Sequence, residues 1–316
     1  MSITERIDNI TRIPAIRLAT EIPPPESVKI ELSPRCNYRC GFCGLVQRDK
    51  QPTHDMDLDF FKRITSEMRE CGVKEIGLFY LGESFMNVPL LVAAAEHCRE
   101  LGFEKRFITT NGSLVTQEAA YQVMEAGITS IKFSINSADP DMFKEIIGVS
   151  SKNFWRALEN VKGAWEVREA SGFYDTELSA SSIKYDDEQQ PKMEAILAKY
   201  IRPYVDVHYW LPLYSMGAYA TAREAELGYR PSAGNQGRLD NPVDPLPCWA
   251  PFTEGHVRAE GGLSACCFDA HGTWEMANLN DMSFLDAWNC EAFKELRAIH
   301  LRKDVTGSIC EKCVLY

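Results

Sequence analysis

The chain has no apolar run approaching the roughly 18 residues that a membrane-spanning helix needs, and its start, MSITERIDNITRIP, mixes charges too early for a secretory signal. A soluble, cytoplasmic protein with no membrane partner is expected. Cysteine is too sparse for a disulfide scaffold: eleven in 316 residues, an odd number, favour a reducing compartment. Internal repeats, low-complexity tracts and long like-charge blocks are missing as well. Positive charge is in deficit, 34 Lys and Arg against 45 Asp and Glu, for a net charge of −11. That balance disfavours nucleic acid as a partner and would attract a cationic substrate, although acidity for solubility alone produces the same number. What remains is an ordinary globular composition, 45% hydrophobic, able to bury a core in one large or two modest domains.

The few cysteines are clustered. Cys36, Cys40 and Cys43 stand at CxxxCxxC spacing directly after an apolar, β-like run, Val28 to Leu32. Thiolates this close can converge on one soft metal centre, and iron-sulfur ligation fits best. Zinc sites favour paired CxxC spacings with four protein ligands, disulfides want an oxidising compartment, and buried apolar cysteines have no reason to cluster. A second constellation closes the chain: Cys248, the Cys266-Cys267 pair, and Cys310-Glu311-Lys312-Cys313. Cys248, Cys266 and the closing CxxC supply four thiolates, which suit a zinc ribbon or a second iron-sulfur cluster. Cys71, Cys98 and Cys290 read as buried apolar residues.

Between these sites short apolar runs alternate with amphipathic segments, the βα pattern of a parallel sheet. Strands are expected at 28–32, 75–81, 105–110, 130–135, 177–183 and 205–213, with helices near 58–71, 89–101, 117–126, 154–170 and 188–200. Residues 1–27, with Pro14 and Pro23-Pro24-Pro25, read as an extended lead-in with a short helix, covering one mouth of the domain. In such folds active groups sit at the carboxyl ends of strands. Gly82-Glu83, Thr110-Asn111, Ser134 and Ser181 stand at or near those ends. Three of these have a structural alternative: a carboxylate at a helix N-terminus for Glu83, an Asn-Gly turn for Asn111, and small-residue packing for Ser181.

The CxxxCxΦC motif, with Phe42 as its aromatic, resembles that of the radical S-adenosylmethionine (radical SAM) superfamily. The resemblance implies an α/β fold, an open, partial (βα)6 barrel, with a [4Fe-4S] cluster on Cys36, Cys40 and Cys43. The cluster's open iron would chelate SAM, which is cleaved to a 5'-deoxyadenosyl radical that abstracts hydrogen from substrate. Leu81-Gly82-Glu83 is similar to the family's GGE motif with the first glycine replaced, so the carry-over covers Gly82 and Glu83 alone. By the same resemblance Thr110, Asn111, Ser134 and Ser181 are expected at the SAM pocket. The C-terminal pattern looks like the shortened SPASM domain called Twitch, a small α+β unit, which implies an auxiliary [4Fe-4S] cluster on Cys248, Cys266, Cys310 and Cys313. Cys267 could replace Cys266 in that cluster, pack in the core, or act catalytically as a hydrogen-atom donor, and Asp269 and His271 stand near it as substrate ligands, proton acceptors or satisfied turn residues.

The expected organisation is thus an N-terminal extension (1–27), a radical SAM barrel (28–213), a linker (214–246) and a Twitch/SPASM-like domain (247–316). Two functions follow from the resemblance. One is oxidation or epimerisation of a small polar substrate such as an aminocyclitol, aminoglycoside or sugar, as in antibiotic or carbohydrate biosynthesis. The other is peptide modification, a thioether, crosslink or epimerisation. Either needs an external one-electron donor such as flavodoxin or ferredoxin.

Overall fold

The computed structural model describes residues 2–47, 52–186, 188–216, 226, 228–233 and 244–313, so most of the expected 214–246 linker lies outside the described residues. Helix α1 (Ile3–Thr11) opens the chain on a capping box, in which the Ser2 hydroxyl accepts from the Glu5 N–H and Glu5 reaches back to the Ser2 N–H. Six strands follow, β1 (Ser27–Ile30), β2 (Glu75–Gly77), β3 (Lys105–Thr110), β4 (Ser130–Ser134), β5 (Glu177–Lys184) and β6 (Val207–Pro212). Their crossovers carry α2 (Leu58–Glu70), α3 (Val88–Glu100), α4 (Gln117–Glu125), α5 (Pro140–Ile147), α6 (Lys152–Ser171) and α7 (Gln190–Tyr200). From β1 to β6 every pairing is parallel and between sequence neighbours, and β6 ends the sheet, which makes an open (βα)6 barrel.

The C-terminal region continues this sheet. After α8 (Ala250–Thr253), β7 (Glu254–Val257) pairs in parallel with β1, and β8 (Gly262–Ser264) and β9 (Glu275–Asn278) add antiparallel strands, giving the order β6-β5-β4-β3-β2-β1-β7-β8-β9. Helices α9 (Phe284–Trp288) and α10 (Glu291–Leu301) follow.

Two differences from the sequence expectation have local causes. Strand β2 stops at Gly77 rather than Leu81, because the chain beyond Leu78, whose N–H still bonds the Phe107 carbonyl, runs along a cavity wall instead of the ladder. Helix α5 was not expected, although its signals are present: Asp139 caps the N–H groups of Asp141 and Met142, Pro140 starts the first turn, and Gly148 ends it at φ +72°.

Alternation along the strands sorts the side chains. Ile30, Ile76, Ile108, Ile131, Phe133 and Leu178 turn outward and bury against helix residues such as Phe61, Met68 and Val123 in one apolar core. Each such side chain contributes about 1.5–3 kcal/mol on burial. The inner face is polar, and its lower end is closed by α1, whose buried Arg6 meets Ser27, Glu75 and Glu254, the first residues of β1, β2 and β7.

Candidate active site and second cysteine site

At the carboxyl ends of the strands lies a cavity of about 190 Å³ lined by Cys36, Cys40, Cys43, Gly82, Glu83, Thr110, Asn111 and Ser134. Five of the six residues expected at a SAM pocket therefore meet the three cysteines. Ser181 does not line this cavity; it lines an adjoining one shared with Ser134 and Phe42.

The cysteine loop is held by backbone and side chain together. Arg39 and Gly41 donate their N–H groups to Ile147 and Ile146 at the end of α5, and the Tyr38 ring meets Phe143 edge-on at 5.4 Å. Asn37 accepts from the Asn111 amide at 2.9 Å and donates to the Ser113 hydroxyl at 2.8 Å, tying the loop to the turn after β3. Asn37 was missed by sequence reasoning, since a lone Asn inside a cysteine motif has no spacing signal. Burial, then the nearby Glu83, pushes the Cys36 thiol up to about 12, and burial followed by Cys36 and Cys43 pushes Cys40 well above its ordinary value. Thiolates here need cations among them.

Glu83 is buried, and its carboxylate accepts from the Thr110 hydroxyl (2.8 Å), the Asn111 N–H (2.8 Å) and the Phe85 N–H (3.1 Å). Burial raises its pKa and these three donors oppose the rise. The Phe85 bond also caps the short 3-10 turn Ser84–Asn87, so the helix-terminus role is real, alongside a place on the cavity wall. Thr110 serves Glu83 before anything else. Gly82 is required by close approach: a Cβ added there would lie 1.9 Å from the Ser33 carbonyl oxygen, on the stretch leading into Cys36.

The second constellation also assembles. Cys248, Cys266, Cys267, Cys310 and Cys313 all pack in one small apolar cluster with Trp249, Phe268 and Trp274. Burial, then neighbouring cysteines, raises Cys266 well above its ordinary value, and burial, then Cys313, pushes Cys310 up to about 12. Sulfurs at both sites accept N–H groups, Cys36 from Tyr38 at 3.5 Å and Cys266 from Phe268 at 3.4 Å. His300 is a further residue that spacing did not single out. Its Nδ1 accepts from the Cys248 N–H at 3.2 Å, burial lowers its pKa to about 4, and the proton on Nε2 therefore faces the Cys310 Sγ at 3.3 Å. Soft sulfur donors with N–H groups aimed at them fit iron-sulfur clusters at both places. Among the described residues no three His, Cys, Asp or Glu side chains are gathered to grip one bare ion; a four-iron cube holds its thiolates on separate corners.

Cys267 is half-buried beside Cys266 and does not line the cysteine cavity. Asp269 turns out to be a turn-former: its buried carboxylate accepts from the Ser264 hydroxyl and from the Thr273 and Trp274 N–H groups. His271 is exposed. Tyr80 joins the two sites. It lines the cavity, and its buried phenol donates to the Cys266 carbonyl at 2.6 Å.

Residues 30–174 match the radical SAM superfamily, and residues 248–314 match SPASM, described as an iron-sulfur cluster-binding domain. A probable GTP 3',8-cyclase of Saccharolobus solfataricus is 28% identical over 144 residues, 46% of this chain and 45% of that protein, so the chain spans under half of this relative. The PqqA peptide cyclase of Xanthomonas campestris pv. campestris is 25% identical over 92% of this chain and 80% of its own length. Among solved structures, BtrN in complex with AdoMet and 2-DOIA superposes with a TM-score of 0.54 at 17% identity, covering 87% of this chain and 86% of that one. Streptococcus suis SuiB bound to its precursor peptide SuiA gives a TM-score of 0.64 at 18% identity, covering 88% and 68%. No helix among the described residues is long and apolar enough to cross a membrane.

Proposed function

This chain is a radical SAM protein with a C-terminal SPASM domain, and on that premise we propose that it oxidises or epimerises a small polar substrate, drawing electrons from an external donor such as flavodoxin or ferredoxin. The two domains imply SAM, a SAM-binding [4Fe-4S] cluster and an auxiliary cluster, which when bound supply a 5'-deoxyadenosyl radical and a one-electron relay. Cys36, Cys40 and Cys43 would hold the first cluster, and Cys248, Cys266, Cys310 and Cys313 the second. Glu83, locked by Thr110 and the Asn111 N–H, presents a fixed acceptor at the cavity wall, where an amino group of SAM would bind. Gly82 keeps the backbone close, and Ser134 borders both the cysteine cavity and its neighbour.

The observation that carries this reading is Tyr80, one side chain in contact with both the reaction cavity and the second cysteine site. A relay that close suits return of an electron or a hydrogen atom after abstraction. A second reading, peptide modification, draws on the PqqA peptide cyclase match, which extends over nearly the whole chain.

Anaerobic reconstitution should give roughly eight irons per chain, and SAM with dithionite should release 5'-deoxyadenosine. Zinc with about four irons would remove the auxiliary cluster from the account. A Cys267→Ala variant that keeps both clusters and consumes SAM yet loses turnover would assign Cys267 as the hydrogen donor of an epimerase. Unchanged turnover would remove Cys267 from the mechanism. Turnover on peptides, with none on polar small molecules, would replace the first reading by the second.

A further inference from the structure

Among the described residues, the barrel lumen holds a cation without a counter-charge. Lys132 lies on β4 between Ser130 and Ser134, on the face that leads up to the cysteine cavity, while Ile131 and Phe133 turn outward into the core. Its register partners on the flanking strands are Thr109 and Ser179, which puts the three in one row across the lumen. Thr109 lines the cysteine cavity. The other lumen cations are matched: Lys29 by Glu254 at 2.6 Å, Arg6 by Glu75 and Glu254, and Lys105 by Glu177 at 3.7 Å. Among the described residues no carboxylate lies within ion-pair distance of Lys132.

Ser179 adds a second, independent observation. It is fully buried, and its hydroxyl has no hydrogen-bond partner. A half-buried ammonium with no counter-charge beside a fully buried, unpaired hydroxyl is costly, and one oxyanion between them would satisfy both. Burial, then the charge of Lys29, lowers the Lys132 pKa to about 8, in keeping with a cation that no protein group stabilises.

We propose that Lys132, with Ser179 and Thr109, forms a substrate-anchoring site for an oxyanion, so that the substrate carries a carboxylate or phosphate group directed down the lumen and its reacting carbon toward the cysteine cavity. The site rests on the reading of that cavity as the place of reaction. It also opposes the bias toward cationic substrates that the net charge of −11 suggests, because an acidic surface acts at long range while a half-buried ammonium in the lumen decides what fits beside it.

The test uses enzyme reconstituted with both clusters and SAM. Inorganic phosphate and succinate are titrated separately against a chloride control, reading the melting temperature and the electron paramagnetic resonance spectrum of the reduced, SAM-bound cluster. Saturable shifts in both signals are expected with at least one of the two anions, and which one acts distinguishes phosphate from carboxylate. Lys132→Met should weaken that response at least tenfold, and Lys132→Arg should retain it. Lys132→Met alone should also melt no lower than wild type, since it replaces a half-buried charge that has no carboxylate partner by an apolar chain of similar length. Three results would overturn the proposal: an anion response that survives in Lys132→Met, no response beyond chloride in wild type, or a response to putrescine in place of the anions. Release of 5'-deoxyadenosine by wild type is measured in parallel. Its failure alongside a Lys132-dependent anion response would sink the proposed reaction and leave the anion site standing.

Discussion

Gly82→Ala should lose the SAM-binding cluster while keeping the second one. The added Cβ would stand 1.9 Å from the Ser33 carbonyl oxygen and 2.9 Å from the Pro34 carbonyl carbon, both backbone atoms that cannot swing aside. Overpacking of this kind costs about 1–3 kcal/mol even where side chains can adjust. Here the strain falls on the segment that delivers Cys36 and on the Glu83 N–H, which donates to the Arg35 carbonyl at 2.8 Å. Separating the two chains moves the first thiolate and the Glu83 carboxylate together, so cluster assembly and SAM binding should fail as one. Iron should drop from roughly eight to roughly four per chain, and 5'-deoxyadenosine release should fall at least a hundredfold, with the remaining signal in the reduced spectrum that of the second site. Full iron content and wild-type SAM cleavage would show that this approach is not what seats the cluster.

The second large effect is on stability. Arg6→Ala removes the cation that bonds Glu75 at 2.6 Å and Glu254 at 2.9 Å, all three groups being buried, and that stacks over the Phe107 ring at 3.9 Å. Truncating one member of a buried ion network leaves charge uncompensated and costs about 3–5 kcal/mol. For a chain of this size the melting temperature should fall by roughly 10 °C. A fall under about 2 °C would mean that α1 is not what closes the base of the barrel. The pH dependence has a definite sign. Burial raises the Glu254 carboxyl, but Lys29, His256 and Arg6 overcome this and hold it well below its ordinary range. A depressed carboxylate contributes stability that is present above its unfolded pKa and lost as pH falls through the folded one. Without Arg6 the folded pKa rises, so acid unfolding of the variant should begin at a higher pH than in wild type.

Much of the site was legible because it is written in short spacings at the ends of regular elements. Cys36, Cys40 and Cys43 lie in one loop, and Gly82, Glu83, Thr110, Asn111 and Ser134 each stand at or beyond the end of a strand of a parallel sheet, where the fold brings strand ends together. Short apolar runs alternating with amphipathic segments identified all six barrel strands, and helix α5 went unnoticed although Asp139, Pro140 and Gly148 mark it. Side-chain roles were less legible. From its sequence position Asp269 reads as a substrate ligand, a proton acceptor or a turn residue, and it closes a turn; sequence leaves that choice open because a carboxylate's partners are set by backbone N–H groups whose positions depend on how the segment folds.

The sequence by itself determined the radical SAM motif, the six βα steps, the second cysteine set and the charge balance, all of which depend on residue type and local spacing. Only the tertiary structure decided that β7 docks on β1 and carries the second site to the barrel, that Tyr80 spans both sites, that His300 faces Cys310, and that no carboxylate among the described residues lies within ion-pair distance of Lys132. Each of these is a relation between residues far apart in the chain. A hydrogen bond or ion pair acts over a few ångströms, and spacing along the chain says nothing about distance once the chain has folded back on itself.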